Sequence, residues 1–224
     1  MGQSTISIYG SPMTSARRCY WALEELGLSY RRLTLDVCRK EHRDASFLKL
    51  NPNGKGPCLT DGDFAIWESM AINHYLCEKY GRASDSWLGR THEESGVIQQ
   101  WSFWAISELQ KPLMDMLVQM HLVPEGRRDM VLCERSKRTA LPMLQILDGA
   151  LADRLYLAGD RFTLADINVA SVGAMNLMCG NDLSKLPRLN AWLKACIDRP
   201  AYQRVAALDE VVAQPLSKPL SKTV

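Results

Sequence analysis

An α/β domain followed by an all-helical one is the fold class this chain predicts, and two observations carry it. Residues 1–81 break into short segments in the order β-α-β-α-β-β-α, while the residues after about 92 show helical periodicity alone. Between them, Arg82 to Thr91 is polar and turn-rich. A chain of 224 residues has room for two such units. The expected organisation is a first domain over 1–81, a linker over 82–92, an all-α domain over 93–210 and a flexible tail over 211–224.

Thr5-Ile6-Ser7-Ile8-Tyr9 alternates as a half-buried strand does, and Gly10-Ser11-Pro12 breaks it. From Ser15 to Leu26, Cys19, Ala22, Leu23 and Leu26 recur at helical spacing, closed by Gly27. Tyr30 to Leu35 reads as a second strand, and Asp44 to Leu50 as a short helix stopped by Asn51-Pro52-Asn53-Gly54. Strands at Pro57 to Thr60 and Phe64 to Trp67 flank the hairpin turn Asp61-Gly62-Asp63. A helix from Ser69 to Tyr80 ends at Gly81. With Gly56-Pro57 opening the third strand, this order points to a thioredoxin-like domain.

In the second part, Val97, Trp101, Trp104, Ala105 and Leu109 mark a helix interrupted or kinked at Pro112. Leu144, Leu147 and Leu151 mark another, with a start blurred by Pro142. Thr163 caps a third helix, with Asp166 reaching back in a capping box, and its apolar circumference through Met178 predicts a buried centre. Two short helices follow, around Leu189 to Ile197 and Ala201 to Ala207.

Composition narrows the function classes. The chain is 46% hydrophobic and 23% charged, the balance of a globular protein. Its net charge of +2 gives no electrostatic case for nucleic acid or a membrane surface, and no apolar run is long enough to span a bilayer. No signal peptide is visible, and Ile6 spoils a myristoylation motif. Seven dispersed cysteines without a C-x-x-C pair read as free, mostly buried thiols in a reducing cytosol, so a cytoplasmic location is expected. Neither they nor His42, His74, His92 and His121 show metal-ligand spacing, so no metal is expected.

Two segments carry chemistry. Pro57 cannot donate to a ladder, so its place at the start of a strand suggests a cis Gly56-Pro57 bond. The backbone of Gly56 is then left outward to pair with an extended peptide. Glu68-Ser69-Met70-Ala71-Ile72 opens a helix whose free amides attract a carboxylate. A loop proline and plain capping are the simpler readings of each segment taken alone.

Together these motifs make the chain resemble the cytosolic glutathione transferases, particularly the bacterial, theta- and phi-like members. The resemblance rests on Tyr9-Gly10-Ser11-Pro12, Trp21-Ala22-Leu23-Glu24-Glu25-Leu26-Gly27-Leu28, Asn51-Pro52-x-Gly54-Lys55-x-Pro57, Glu68-Ser69-x-Ala71-Ile72 and Thr163-Leu164-Ala165-Asp166-Ile167, spanning residues 5 to about 208. It implies glutathione as co-substrate, a small electrophile as second substrate, a role in detoxification and a homodimer. Ser69 with Glu68 would hold the γ-glutamyl end, and the Gly56 backbone, fixed by Pro57, would hold the cysteinyl part. Lys55, with His42 or Arg43, would neutralise the glycyl carboxylate. Arg39-Lys40-Glu41-His42-Arg43-Asp44 equally suits a solvated charge cluster.

The catalytic position departs from the family pattern. Where those members place a serine hydroxyl at the start of the first helix, this chain has Thr14, with Ser15 adjacent and Ser11 where redox-active relatives carry cysteine. Thr14, Ser15 and Ser11 are the candidate thiolate donors. A cysteine-type thiol has a pKa of about 8.5, and lowering it by about two units takes roughly 2.7 kcal/mol. One hydrogen bond to a charged acceptor supplies about 1.5–3 kcal/mol and a helix N-terminus about 0.3–2 kcal/mol, so a single hydroxyl there suffices. Three readings stand: a transferase, a non-catalytic protein of the same fold binding glutathione or hydrophobic ligands, and a thiol–disulfide oxidoreductase. An exposed, acidic Cys19 would mark the last. Trp101, Trp104, Met114, Met116, Met120 and His121 line either core or interface, or an electrophile pocket.

Overall fold

The computed structural model describes residues 6–36 and 39–212, with side chains through residue 208. Strands β1 (Ile6–Tyr9), β2 (Tyr30–Leu33), β3 (Cys58–Asp61) and β4 (Phe64–Trp67) form one sheet in the order β2-β1-β3-β4. β1 and β2 are parallel, joined by the crossover helix α1 (Ala16–Glu25), whereas β3 and β4 form the expected antiparallel hairpin. The strand read as reaching Leu35 stops at Leu33, because its register with β1 ends at Tyr9. Helices α2 (Ala45–Leu50) and α3 (Ser69–Tyr80) complete the thioredoxin-like unit.

The register places the functional loops together. Tyr9 pairs with both Leu33 and Cys58, and Cys58 pairs with Trp67. One residue beyond each pair, Gly10, Pro57 and Glu68 therefore emerge side by side, at the edge where α1 and α3 begin. The Gly56–Pro57 bond is cis.

The helical part begins with α4 (His92–Trp104), which continues through a π-helical turn, Ala105–Leu109, into α5 (Gln110–Leu117) and a second π-helical turn, Val118–Leu122. The expected break at Pro112 is thus a widened turn just before it. Pro112 offers no N–H to the carbonyl four residues back, Glu108, which lies within that turn. Helix α6 (Met130–Ala150) also departs from expectation, passing through Pro142 from a start set by Asp129, whose side chain accepts from the Leu132 amide at 2.8 Å.

Helix α7 (Leu164–Met178) carries the capping box, Thr163 N–H donating to Asp166 Oδ2 at 2.8 Å, and is buried along nearly its whole length. The short final helices are longer than read from sequence: α8 (Pro187–Ile197) and α9 (Pro200–Val212). The tail expected from residue 211 thus begins as helix, and residues 213–224 lie outside the described ones.

Helix α1 is the keel between the two parts. Trp21, fully buried, meets Tyr202 edge-on with ring centroids 4.8 Å apart, and Arg199 clasps the Glu25 carboxylate through Nε (2.5 Å) and Nη2 (2.8 Å). A buried polar relay runs alongside. Asn73 Nδ2 donates to the Arg18 carbonyl (3.1 Å) and to Asn168 Oδ1 (2.8 Å), and Asn168 Nδ2 donates to Ser102 Oγ (3.0 Å). Of the aromatic and methionine stripe, Trp101 and Met116 are core, Trp104 and Met120 pack against it, and the His121 ring bonds the Met178 carbonyl.

Candidate functional site

A cleft of about 360 Å³ opens at the loop edge, lined by Gly10, Ser11, Thr14, Leu35, His42, Arg43, Gly54, Lys55 and Gly56. Of the candidate residues, Ser11, Thr14, His42, Arg43, Lys55 and Gly56 are there, and Ser15 and Pro57 are not. Ser15 is the N-cap position of α1 but makes no side-chain cap bond. Pro57 is buried behind Gly56. Glu68 and Ser69 do not line this cleft either; they sit one strand over, where the row of Gly10 and Pro57 continues.

Backbone geometry explains why the walls meet. Gly10 (φ +141°) and Gly56 face each other so closely that a Cβ on Gly56 would stand 3.3 Å from the Gly10 Cα. Gly54 (φ +60°) lets its loop lie against the His42–Arg43 turn; a Cβ there would come within 2.8 Å of the His42 carbonyl oxygen and 2.9 Å of Arg43 Nη1. Asn51, buried, staples the same loop: its Nδ2 donates to the Lys55 carbonyl (2.6 Å) and its Oδ1 accepts from the Asn53 amide (3.0 Å). Lys55, His42 and Arg43 are thereby drawn to one mouth, and no carboxylate lines the cleft among the described residues. His42 Nδ1 is buried without a hydrogen-bond partner, and the charge cluster read in 39–44 contributes two of its members to the cleft wall.

The opposite wall is the start of α1. Thr14 Oγ1 donates to the Ser11 carbonyl (2.7 Å) and accepts from the Ala16 amide (3.3 Å), while Ser11 Oγ accepts from the Met13 amide (3.2 Å). Two hydroxyls thus face the cleft above a helix N-terminus. The loop to α3 is strained: Glu68 takes φ +71°, a conformation costing a non-glycine residue about 1–3 kcal/mol. It delivers Ser69, 6% exposed, as the first residue of that helix.

Cys19 is fully buried, and burial pushes its thiol up to about 12, the reverse of a redox-active cysteine. Tyr9, half-buried at the end of its strand, packs against Phe47 at 5.7 Å between ring centroids. One residue escaped the sequence reading: Arg18, 1% exposed, whose Nη1 donates to Ser69 Oγ at 3.4 Å. Its signal was a cation four residues before Ala22 on the apolar stripe of its helix. Gln110, which accepts from Arg18 Nη2 at 2.7 Å, had no sequence signal at all.

Comparison with known proteins gives concordant results. Family models described as "Glutathione S-transferase, N-terminal domain" and "Glutathione S-transferase, C-terminal domain" match residues 4–78 and 112–200. Glutathione S-transferase 3 of Zea mays is 30% identical over 227 residues, covering 97% of this chain and 98% of its own. Glutathione S-transferase GstB of Escherichia coli K12 is 28% identical over 206 residues, covering 91% and 98%. Among solved structures, the theta class glutathione S-transferase of Xanthomonas axonopodis pv. citri, crystallised with glutathione bound, superposes with a TM-score of 0.83 at 30% identity, covering 90% of this chain and 96% of that one.

Proposed function

Given that the chain belongs to the glutathione S-transferase family of enzymes, we propose that it binds glutathione in the cleft between α1 and the 54–56 loop and activates its thiol for attack on a small electrophile. One observation carries the proposal: a cation cluster and two hydroxyls at a helix N-terminus face each other across a single cleft. Glutathione has the matching asymmetry, a carboxylate at its glycyl end and a thiol one residue away.

In this reading Lys55, His42 and Arg43 neutralise the glycyl carboxylate. The Gly56 backbone, turned outward by Pro57, pairs with the cysteinyl part. Glu68 and Ser69 take the γ-glutamyl end, its carboxylate meeting the α3 N-terminus. Thr14 is the thiolate's hydrogen-bond donor, with Ser11 beside it and Ser15 behind. The Thr14 hydrogen, given to the Ser11 carbonyl, swings to the sulfur by rotation about Cβ–Oγ1 while the oxygen stays fixed by the Ala16 amide. A neutral bond of about 0.5–1.5 kcal/mol is exchanged for a charge-assisted one of about 1.5–3 kcal/mol.

The thiol proton leaves to solvent. The thiolate then forms a carbon–sulfur bond, and the electron pair leaves with the departing group or settles on the electrophile. The same reading takes residues 1–81 as the glutathione domain and 93–210 as the helical one, joined by the linker. It takes the working species as a cytoplasmic homodimer serving detoxification.

Ultraviolet titration of bound glutathione thiolate tests this in the wild-type protein and in Thr14→Ala, Ser11→Ala and Ser15→Ala. A thiolate band at neutral pH lost only in Thr14→Ala supports both site and donor. Loss in one of the serine variants instead moves the donor. Glutathione bound without any thiolate band in the wild type refutes the mechanism.

A further inference from the structure

Helices α1 and α3 share the apolar core that holds Leu23, Ile72 and Leu76, all fully buried. Apolar contact is non-directional, so it fixes the register of two helices less sharply than a hydrogen bond does. One completely enclosed side chain on α3 is polar. Asn73 is 0% exposed, and its Nδ2 donates both to the Arg18 carbonyl of α1 (3.1 Å) and to Asn168 Oδ1 of α7 (2.8 Å). Among the described residues the other polar contacts from α1 to α3 are longer. Arg18 Nη1 reaches Ser69 Oγ at 3.4 Å and Met70 Sδ at 3.9 Å, and Cys19 Sγ reaches the Ser69 carbonyl at 3.6 Å.

The neighbours force the orientation of this amide. Ser102 gives its hydroxyl hydrogen to the Ile98 carbonyl (2.8 Å), so its oxygen is left to accept. Asn168 then turns Nδ2 to Ser102 (3.0 Å) and Oδ1 to Asn73. The Arg18 carbonyl is an acceptor too, so Asn73 faces two acceptors and presents its NH2 group to both. Its own Oδ1 has no partner among the described residues. A buried amide with one atom unmatched adds little net stability; what it supplies is a fixed geometry between α1, α3 and α7. Arg18 lies four residues beyond Thr14, and Asn73 four residues beyond Ser69. The bond therefore joins the two helices roughly one turn behind the residues that the glutathione reading puts on the sulfur and on the γ-glutamyl end.

We propose that Asn73 is a positioning residue that sets the spacing between Thr14 and Ser69, and through it the hydrogen bond from Thr14 to the glutathione sulfur. This rests on the glutathione reading above and deepens it. Asn73 touches neither the ligand nor a reacting atom. The γ-glutamyl chain is flexible, so a tripeptide held at Ser69 and at the cation mouth stays bound when α1 shifts by a fraction of an ångström. The bond from Thr14 to sulfur has no such slack, because it weakens steeply as its geometry departs from the ideal. Asn73 therefore acts on thiolate formation more than on affinity. Asn168 and Ser102 carry the anchor into the helical part, so the spacing is referred to α7 and α4 as well as to the sheet.

Ultraviolet titration of bound glutathione thiolate, paired with calorimetric titration of S-methylglutathione, tests this. The S-methyl compound has no ionisable thiol and reports only whether the ends of the tripeptide are held. Asn73→Leu keeps the volume and removes both hydrogen bonds, and Asn168→Ala removes only the half of the anchor that reaches α7. In Asn73→Leu the apparent thiolate pKa is expected to rise by about one unit, a roughly tenfold smaller thiolate fraction below it. Affinity for S-methylglutathione stays within about threefold of wild type. Asn168→Ala shifts the pKa in the same direction by less. A merely structural role would lower the melting temperature without moving the pKa of glutathione bound to the folded protein. Should Asn73→Leu fail to fold by circular dichroism, Asn168→Ala decides, by a rise or by none. An unchanged thiolate pKa in the folded variant, or an equal loss of S-methylglutathione affinity beside the rise, overturns the positioning role. Wild-type protein that binds no glutathione, or binds it without a thiolate band, overturns the underlying functional reading instead, which sets the two failures apart.

Discussion

The Thr14 hydroxyl donates to the Ser11 carbonyl oxygen over 2.7 Å while accepting the Ala16 amide at 3.3 Å, so the oxygen is pinned from below and only its hydrogen is free to turn. The β-branch of threonine, which limits χ1, here helps to hold the oxygen over the helix N-terminus. Thr14→Ser should therefore keep thiolate formation. Thr14→Val, which keeps the shape and removes the hydroxyl, should raise the apparent pKa of bound glutathione by about one to two units, the equivalent of a charge-assisted hydrogen bond. At neutral pH the turnover efficiency should fall roughly ten- to a hundredfold. Stopped-flow absorbance of the thiolate, read beside steady-state rates, checks both.

Gly54 makes a separate prediction about the cation mouth. Its φ of +60°, and the 2.8 Å that would separate an added methyl carbon from the His42 carbonyl oxygen, leave Gly54→Ala strained twice over. The variant should lose about 1–3 kcal/mol of stability, or shift the 54–56 loop away from Arg43. In the second case glutathione affinity falls while the melting temperature stays near wild type. Thermal melts with and without glutathione separate these outcomes, and a variant unchanged in both would refute the tight packing.

Much of this was legible from sequence because it depends on local signals. The Asp61-Gly62-Asp63 hairpin, the Gly81 stop and the Thr163–Asp166 capping box each use residues within four positions of one another. The loops holding Lys55, Glu68 and Ser69 were marked in the same way. What stayed hidden is what the register and the helix packing decide. Arg18 and Ser69 are 51 positions apart, and Arg18 and Gln110 are 92 apart, so no periodicity links them. Pro112 and Pro142 misled in the opposite direction. Tertiary burial of α5 and α6 outweighs the local helix-breaking penalty, which the first absorbs in a π-helical turn.

The cysteines offer a check on the rejected redox reading. Cys19, Cys77 and Cys196 are buried, and burial raises each thiol, to about 12 in Cys19 and Cys77. In a Cys38→Ser background, native protein at neutral pH should react with an aromatic disulfide reagent at well below one equivalent over minutes. All six remaining thiols should titrate once urea unfolds the chain. A fast-reacting native thiol would restore the disulfide-exchange reading.

Glu94 ties the start of α4 to the loop before α7 through Arg161, and it also accepts the Arg90 amide at 2.7 Å. The Arg161 contact, and then the Arg90 amide, hold its carboxyl below the ordinary value. A carboxyl depressed in the folded state contributes stability above its unfolded pKa and loses it as pH falls through the folded one. The contribution of Glu94 is therefore complete above about pH 4.3 and fades below it. Glu94→Gln should melt at a lower temperature than wild type at pH 7, and the gap should close as the pH is taken down toward 3. Because the group is solvent-accessible, added salt should narrow the gap at pH 7 too. A gap that persists unchanged at pH 3 would show that the glutamate acts through its shape and neutral hydrogen bonds, with its charge irrelevant to holding α4 against the Arg161 loop.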